Sequence, residues 1–204
     1  MAIYSEPSKE LFEFSQNEDG TYTLTALLKK DVDHLEIPEG VSSIDWDYDV
    51  DAEEDFNPET VSFPSTLKSI GKSAFLFNGR METLFIPGNV TYIAEAAFQQ
   101  SNFVSVEFGE GLEEIDFAVF SLCKRLETVI IPASCKKIGW RCFAECDSLQ
   151  SVIFRDPKGW TKLNFDHKTR THKKALFGSL SEATLSDPRL AAELLKKDIA
   201  IGKK

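Results

Sequence analysis

The four cysteines of this 204-residue chain, Cys123, Cys135, Cys142 and Cys146, all fall within one stretch of 24 residues. Thiols at that density suggest a structural zinc site or a pair of disulfides. Structural zinc is normally held by paired Cys-x-x-Cys knuckles, and the stretch contains none. Disulfides belong to oxidising compartments, and no basic segment followed by an apolar run opens the sequence to mark export. The cysteines are therefore expected to be reduced, metal-free and structural.

A second candidate is the acidic run Asp45, Asp47, Asp49, Asp51, Glu53, Glu54 and Asp55, which offers hard oxygen ligands for calcium. An EF-hand loop starting at Asp45 needs glycine at position 50 and a carboxylate at 56, where Val50 and Phe56 stand. A start at Asp47 meets Ala52 and Pro58 instead. The expectation is a solvated insertion whose Trp46, Tyr48 and Val50 alternate inward. A cation held by Asp45, Asp47, Asp49 and Asp51 is the weaker alternative.

His167 and His172 lie in the basic stretch from Lys158 to Lys174 without a carboxylate or thiol framework, and that stretch reads as a solvated connector. His34 has no catalytic partner in the sequence. Phosphate-binding glycine loops, nucleophile elbows and Ser/His/Asp spacings are absent. No catalytic residue and no cofactor are expected.

Any site must therefore be built from a surface, and the repeat pattern describes that surface. Phe63-Pro64 recurs as Ile86-Pro87, Phe108-Gly109 and Ile131-Pro132, with Phe154 closing the series at offsets of 22 or 23 residues. Ile70, Ile93, Ile115 and Ile138 keep the same offsets, as do Phe75, Phe98, Phe120 and Phe143. Period-two apolar runs such as Leu126-x-x-Val129-x-Ile131 predict a short strand. Runs such as Val90-x-x-Ile93 predict a second one. Small residues before each repeat Phe predict a tight helical turn. No single unit can bury its apolar face, whereas stacked units share one core.

The pattern Ile-Pro-x-x-Val-x-x-Ile-x-x-x-Ala-Phe, followed by Leu-x-x-Val-x-Ile, resembles the BspA-like (Treponema-type) bacterial leucine-rich repeat over residues 32–155. The resemblance implies a curved α/β solenoid of about 22–23-residue units, with a sheet on its inner face. It also implies recognition of other molecules rather than catalysis, often at a cell surface. Each cysteine fits the repeat: Cys123 and Cys146 stand where Asn78 and Ser101 do, Cys142 where Ala74 and Ala97 do, and Cys135 where Leu67 and Val90 do.

Residues 1–31 read as an N-terminal β-hairpin cap turning at Asn17-Glu-Asp-Gly20. Residues 32–155 read as the solenoid, its first unit degenerate with an acidic insertion over 45–58. Residues 156–204 read as a C-terminal helical cap, with a helix at about 187–197 started by Ser186-Asp187-Pro188. Charge is uneven: residues 1–60 carry 17 acidic and 3 basic side chains, and residues 155–204 carry 6 and 12. The net charge of −10 opposes general nucleic-acid binding. No window is apolar enough to span a membrane.

Between the inward apolar positions of each strand lie residues that must point outward. One outward column reads Thr60, Thr83, Ser105, Thr128 and Ser151, and its neighbour reads Ser62, Phe85, Glu107, Ile130 and Ile153. Of these, Thr83, Phe85, Ser105, Glu107, Thr128, Ile130, Ser151 and Ile153 form the expected partner-binding strip on the inner sheet. The expected function is non-enzymatic capture of a protein partner by a monomer, with neither nucleic acid nor membrane involved. A calcium-dependent module using residues 45–55 and a self-associating scaffold are the competing readings. As the sequence stands the chain is expected to be cytoplasmic, or secreted or surface-associated if an export signal once preceded it.

Overall fold

A computed structural model describes residues 6–29, 31–46, 57–166 and 171–203. The strands are β1 (Phe12–Gln16), β2 (Tyr22–Leu27), β3 (His34–Glu36), β4 (Val41–Ile44), β5 (Thr60–Ser62), β6 (Ser69–Ile70), β7 (Thr83–Ile86) and β8 (Tyr92–Ile93). They continue as β9 (Ser105–Phe108), β10 (Glu114–Ile115), β11 (Thr128–Ile131), β12 (Lys137–Ile138), β13 (Ser151–Phe154), β14 (Trp160–Asp166), β15 (Thr171–Ser179) and β16 (Ala200–Lys203). Two short helices, α1 (Glu182–Ser186) and α2 (Pro188–Leu195), lie between β15 and β16.

Period-two patterning becomes two sheets. The longer strand of each unit stacks in parallel into a four-stranded sheet, β13-β11-β9-β7, beside a separate pair, β3-β5. The shorter strands stack as β4-β6-β8-β10-β12 inside a ten-stranded sheet. The antiparallel pair β1–β2 joins that sheet through β2 and β4, and β16, β14 and β15 extend its other end. Side chains facing between the sheets, such as Leu84, Ile86, Val129, Ile131, Ile93 and Ile115, are buried in one continuous core.

The repeat Phe residues form the spine of that core. Successive rings are stacked, with centroids 5.3 Å apart for Phe75–Phe98, 5.4 Å for Phe98–Phe120 and 5.5 Å for Phe120–Phe143. Trp46 meets the first ring edge-on at 5.8 Å and donates its indole N–H to the Ala74 carbonyl at 2.7 Å. Trp46 is therefore inward, as expected; Tyr48, Val50 and the remaining acids of the insertion, including Asp47, Asp49 and Asp51, lie outside the described residues.

The molecule is a β-solenoid of about five turns with little helix, which corrects the α/β class and the tight helical turn expected in each unit. Four repeat turns among the described residues each contain two non-glycine residues with positive φ: Ser73 and Phe77, Ala96 and Gln100, Ala118 and Leu122, Arg141 and Glu145. A left-handed residue every fourth position interrupts the right-handed helical path. Its backbone groups turn outward along the stack instead. The amides of Ser73, Phe75 and Phe77 donate to the carbonyls of Glu95, Ala97 and Gln99, and the next units repeat the pattern. This third ladder offsets the left-handed strain, since alternate turn amides find partners along the stack.

Near the C-terminus, α2 is started by Asp187, whose Oδ1 accepts from the amides of Arg189 (2.9 Å) and Leu190 (3.2 Å), with Pro188 in its first turn. Its Ala191, Ala192 and Leu195 are buried. The stretch expected to be a solvated connector is instead largely strand, because β14 pairs with both β15 and β16. His172 lies on β15, and His167 is outside the described residues.

Candidate protein-binding face

Parallel pairing brings the two outward columns into register. Thr83 pairs with Ser105, Ser105 with Thr128, and Thr128 with Ser151. In the neighbouring column Phe85 pairs with Glu107, Glu107 with Ile130, and Ile130 with Ile153. The structure therefore gathers all eight expected residues on one face of the four-stranded sheet. Phe85 is 59% exposed and Ile153 40%, while Ile130 is half-buried. The hydroxyl column runs from exposed Thr83 to half-buried Ser105, Thr128 and Ser151.

One member of the strip is already engaged. Arg155, just past β13, reaches back over two strands and donates to Glu107 Oε1 and to Glu110 Oε1, each at 3.0 Å. The guanidinium holds the Glu110 carboxyl below the usual carboxylate range, helped by the amides of Ala133 and Ser134. Arg125 pairs similarly with Glu82 at 3.2 Å. The strip is thus a mixed row in which Phe85, Ile130 and Ile153 flank an ion-paired Glu107, and not a free acidic patch. On the other sheet Glu113 meets Lys136 at 2.8 Å, and Glu114 meets Lys137. The first of these inter-repeat pairs is exposed and contributes little stability, while the second is half-buried.

His34 was without a partner in the sequence but has two in the fold. Its Nδ1 lies 2.7 Å from Thr60 Oγ1 and its Nε2 3.2 Å from Ser62 Oγ. Among the described residues no carboxylate bonds to the ring, and both hydroxyls sit on one short strand, so the arrangement is a side-chain bridge across β3 and β5. The only sign of it in the sequence is the 26-residue offset between His34 and Thr60.

Sequence reasoning missed a discontinuity in the sheet. Between β5 and β7 the ladder is interrupted by a cleft of about 400 Å³, lined by Thr60, Val61, Ser62, Phe63, Thr83, Leu84, Phe85 and Pro87. Just before β7 the amides of Gly79 and Arg80 donate to Asn57 Oδ1, and that of Met81 donates to Asn78 Oδ1 at 2.7 Å. Arg80 also bridges Asp33 and Glu59.

The cysteines are free and buried at their repeat positions. Burial pushes the Cys123 and Cys142 thiols well up and the Cys135 thiol up to about 12. Among the described residues no group of three or more His, Cys, Asp or Glu side chains is placed to hold a metal ion. No helix there is long and apolar enough to cross a membrane.

Stacked parallel strands, a continuous core and an open face with no catalytic constellation among the described residues define a repeat protein of the leucine-rich class. Residues 53–178 match the BspA type leucine rich repeat region in six copies, and the chain belongs to that family. No curated protein matches it. Among solved structures, the pneumococcal vaccine antigen PcpA is similar at 17% identity and a TM-score of 0.53, over 80% of this chain and 52% of that one. A leucine-rich repeat protein from Bacteroides ovatus is similar at 21% identity and a TM-score of 0.51, over 74% and 50%. A leucine rich cell surface protein from Faecalibacterium prausnitzii is 18% identical with a TM-score of 0.45, over 82% of this chain and 59% of that one. The chain thus spans between half and three-fifths of these three proteins.

Proposed function

We propose that the chain is a non-enzymatic, monomeric module that binds a protein partner through the outward face of its four-stranded sheet. Repeat proteins of this class generally mediate protein interaction. The observation that carries the specific reading is the column Phe85, Glu107, Ile130 and Ile153. It exposes two large apolar side chains at opposite ends of one in-register row. Apolar side chains set beside an ion-paired carboxylate have the make-up of a protein contact. Nucleic acid is disfavoured by the net charge of −10.

Residues 1–31 and 156–204 act in this reading as covers for the two ends of the array, since solenoids need closed ends to stay soluble. The pairing of β2 with β4 and of β16 with β12, and the burial of Ala191, Ala192 and Leu195, support it.

The test is a Phe85→Glu/Ile153→Glu double variant, immobilised beside the parent chain and exposed to extract of the source cells. Proteins retained by the parent are expected to be lost from the variant while its circular dichroism is unchanged. Identical retention by both would overturn the assignment of the face.

A further inference from the structure

The break between β5 and β7 leaves two parallel strand edges facing the cleft. In a parallel ladder, alternate residues direct both backbone groups to the same side. The Ser105 amide donates to Glu82 and the Gly109 amide to Ile86, so Leu84 and Ile86 serve β9. Thr83 and Phe85 consequently direct their N–H and C=O groups toward β5. On β5 the Thr60 amide donates to Asp33 and the Ser62 carbonyl accepts from Ile37. Val61 therefore faces β7. The 23-residue offset would place bonds from Thr83 N–H to the Glu59 carbonyl, from Phe85 N–H to Val61, and from Val61 and Phe63 N–H back to Thr83 and Phe85. Among the described residues none of these bonds is made.

The opening is braced rather than frayed. Asn57 and Asn78 hold the start of β7 against the segment before β5, and Asn78 Nδ2 also donates to the Pro58 carbonyl at 3.0 Å. At the far end Asn89 donates to the carbonyls of Pro64 (3.0 Å) and Leu67. With both ends tied, unpaired groups remain along the edge between them. Backbone donors and acceptors at two-residue spacing are complementary to one shape, an extended chain. Acids flank the lining strands in sequence: Glu59 precedes β5, Glu82 precedes β7, and Asp33 and Glu36 lie at the two ends of β3; against Arg80 and Arg125, which pair with three of them, these described residues leave a net of two negative charges.

We propose that the free edge of β7 receives an extended, cationic peptide segment of a protein partner, which pairs with the backbone of Thr83 and Phe85 and seats an apolar side chain beside the Phe85 ring. The proposal rests on the reading of the chain as a protein-binding module and specifies the mode of binding. Here the main chain holds the partner and the column of Phe85, Ile130 and Ile153 selects among side chains.

The probe is a blocked six-residue peptide of alternating lysine and valine, titrated into the ¹⁵N-labelled chain. Amide shifts are expected at Val61, Phe63, Thr83 and Phe85. Binding should weaken at least ten-fold when alternate peptide nitrogens are methylated, and a glutamate–valine peptide should produce no shifts. Thr83→Pro removes an amide that faces the cleft and leaves the ladder to β9 intact, so it too should weaken binding at least ten-fold. Shifts confined to Glu107, Ile130 and Ile153, equal binding of the methylated peptide, or no binding at all would each overturn edge pairing. The face reading is decided separately by an Ile153→Glu variant, which removes partner retention if the face binds and lies two repeats beyond the bordering strand β9.

Discussion

The thiol of Cys146 donates to the carbonyl oxygen of Phe120 at 3.0 Å, and one turn earlier Cys123 does the same for Phe98 at 3.3 Å. Ser101 Oγ performs this role for Phe75 at 3.1 Å. The turn ladder uses the carbonyls on either side of Phe98, Phe120 and Phe143 and leaves the Phe carbonyl to other donors, such as the Cys123 amide, which reaches Phe120 at 3.3 Å. A side-chain donor three residues after the following Phe satisfies it. The cysteines are placed by this need, which goes beyond the filling of a small apolar space.

Cys146→Ser is therefore expected to keep the hydrogen bond, and Cys146→Ala to leave the Phe120 carbonyl with only the longer bond from the Cys123 amide at 3.3 Å. The alanine variant should lose about 0.5–1.5 kcal/mol. Urea unfolding of the two variants beside the parent checks the order; equal loss in both would show that only volume matters at this position.

The phenyl column and the exposed strip should respond oppositely to truncation. Phe98 is fully buried between two stacked rings, so Phe98→Ala should cost roughly 3–5 kcal/mol. Phe85→Ala, at a mostly exposed side chain, should stay within about 0.5 kcal/mol. Thermal unfolding of both variants distinguishes a core residue from a surface one of the same type.

Burial raises the thiols of Cys123, Cys135 and Cys142 in the folded chain. The unfolded chain then loses these protons first as pH rises, so the neutral thiols' contribution to stability is complete below about pH 9 and is lost above it. For Cys135 the loss runs from 9.0 to about 12. The melting temperature should fall over that range. Cys135→Val, which restores the residue type of Val90, should make the fall shallower. All four thiols should react slowly with a maleimide until the chain is unfolded.

The acidic insertion lacks the glycine and terminal carboxylate of a calcium loop in either register. Addition of about 1 mM calcium, near the weak end of protein calcium sites, should leave the melting temperature where chelator leaves it. An upward shift would revive the cation reading of Asp45, Asp47, Asp49 and Asp51.

The repeat register was legible because Ile, Val and Phe recur at fixed offsets and only one stacking buries them all. The turn geometry was not, because its left-handed positions are held by Ser73, Phe77, Ala96 and similar residues rather than by glycine, so the usual signal is missing. The donor role of Cys123 and Cys146 was partly legible, since the same position reads Asn78, Ser101, Cys123 and Cys146, every one able to donate. The break beside β7 was invisible, because the 23-residue offset from Phe63 to Ile86 is undisturbed. The strand β14 was masked by charged residues, its Leu163 and Phe165 alternating with Lys162, Asn164 and Asp166 too weakly to compete with the look of a connector.

The central claim, that the four-stranded sheet presents the binding face, is tested most directly by photo-crosslinking. A benzophenone side chain placed at Phe85 or at Ile153, and for comparison at Lys136 on the other sheet, reports what lies against each surface in source-cell extract. The account predicts one shared adduct from positions 85 and 153 and none from 136. An adduct that forms from 136 alone would contradict it.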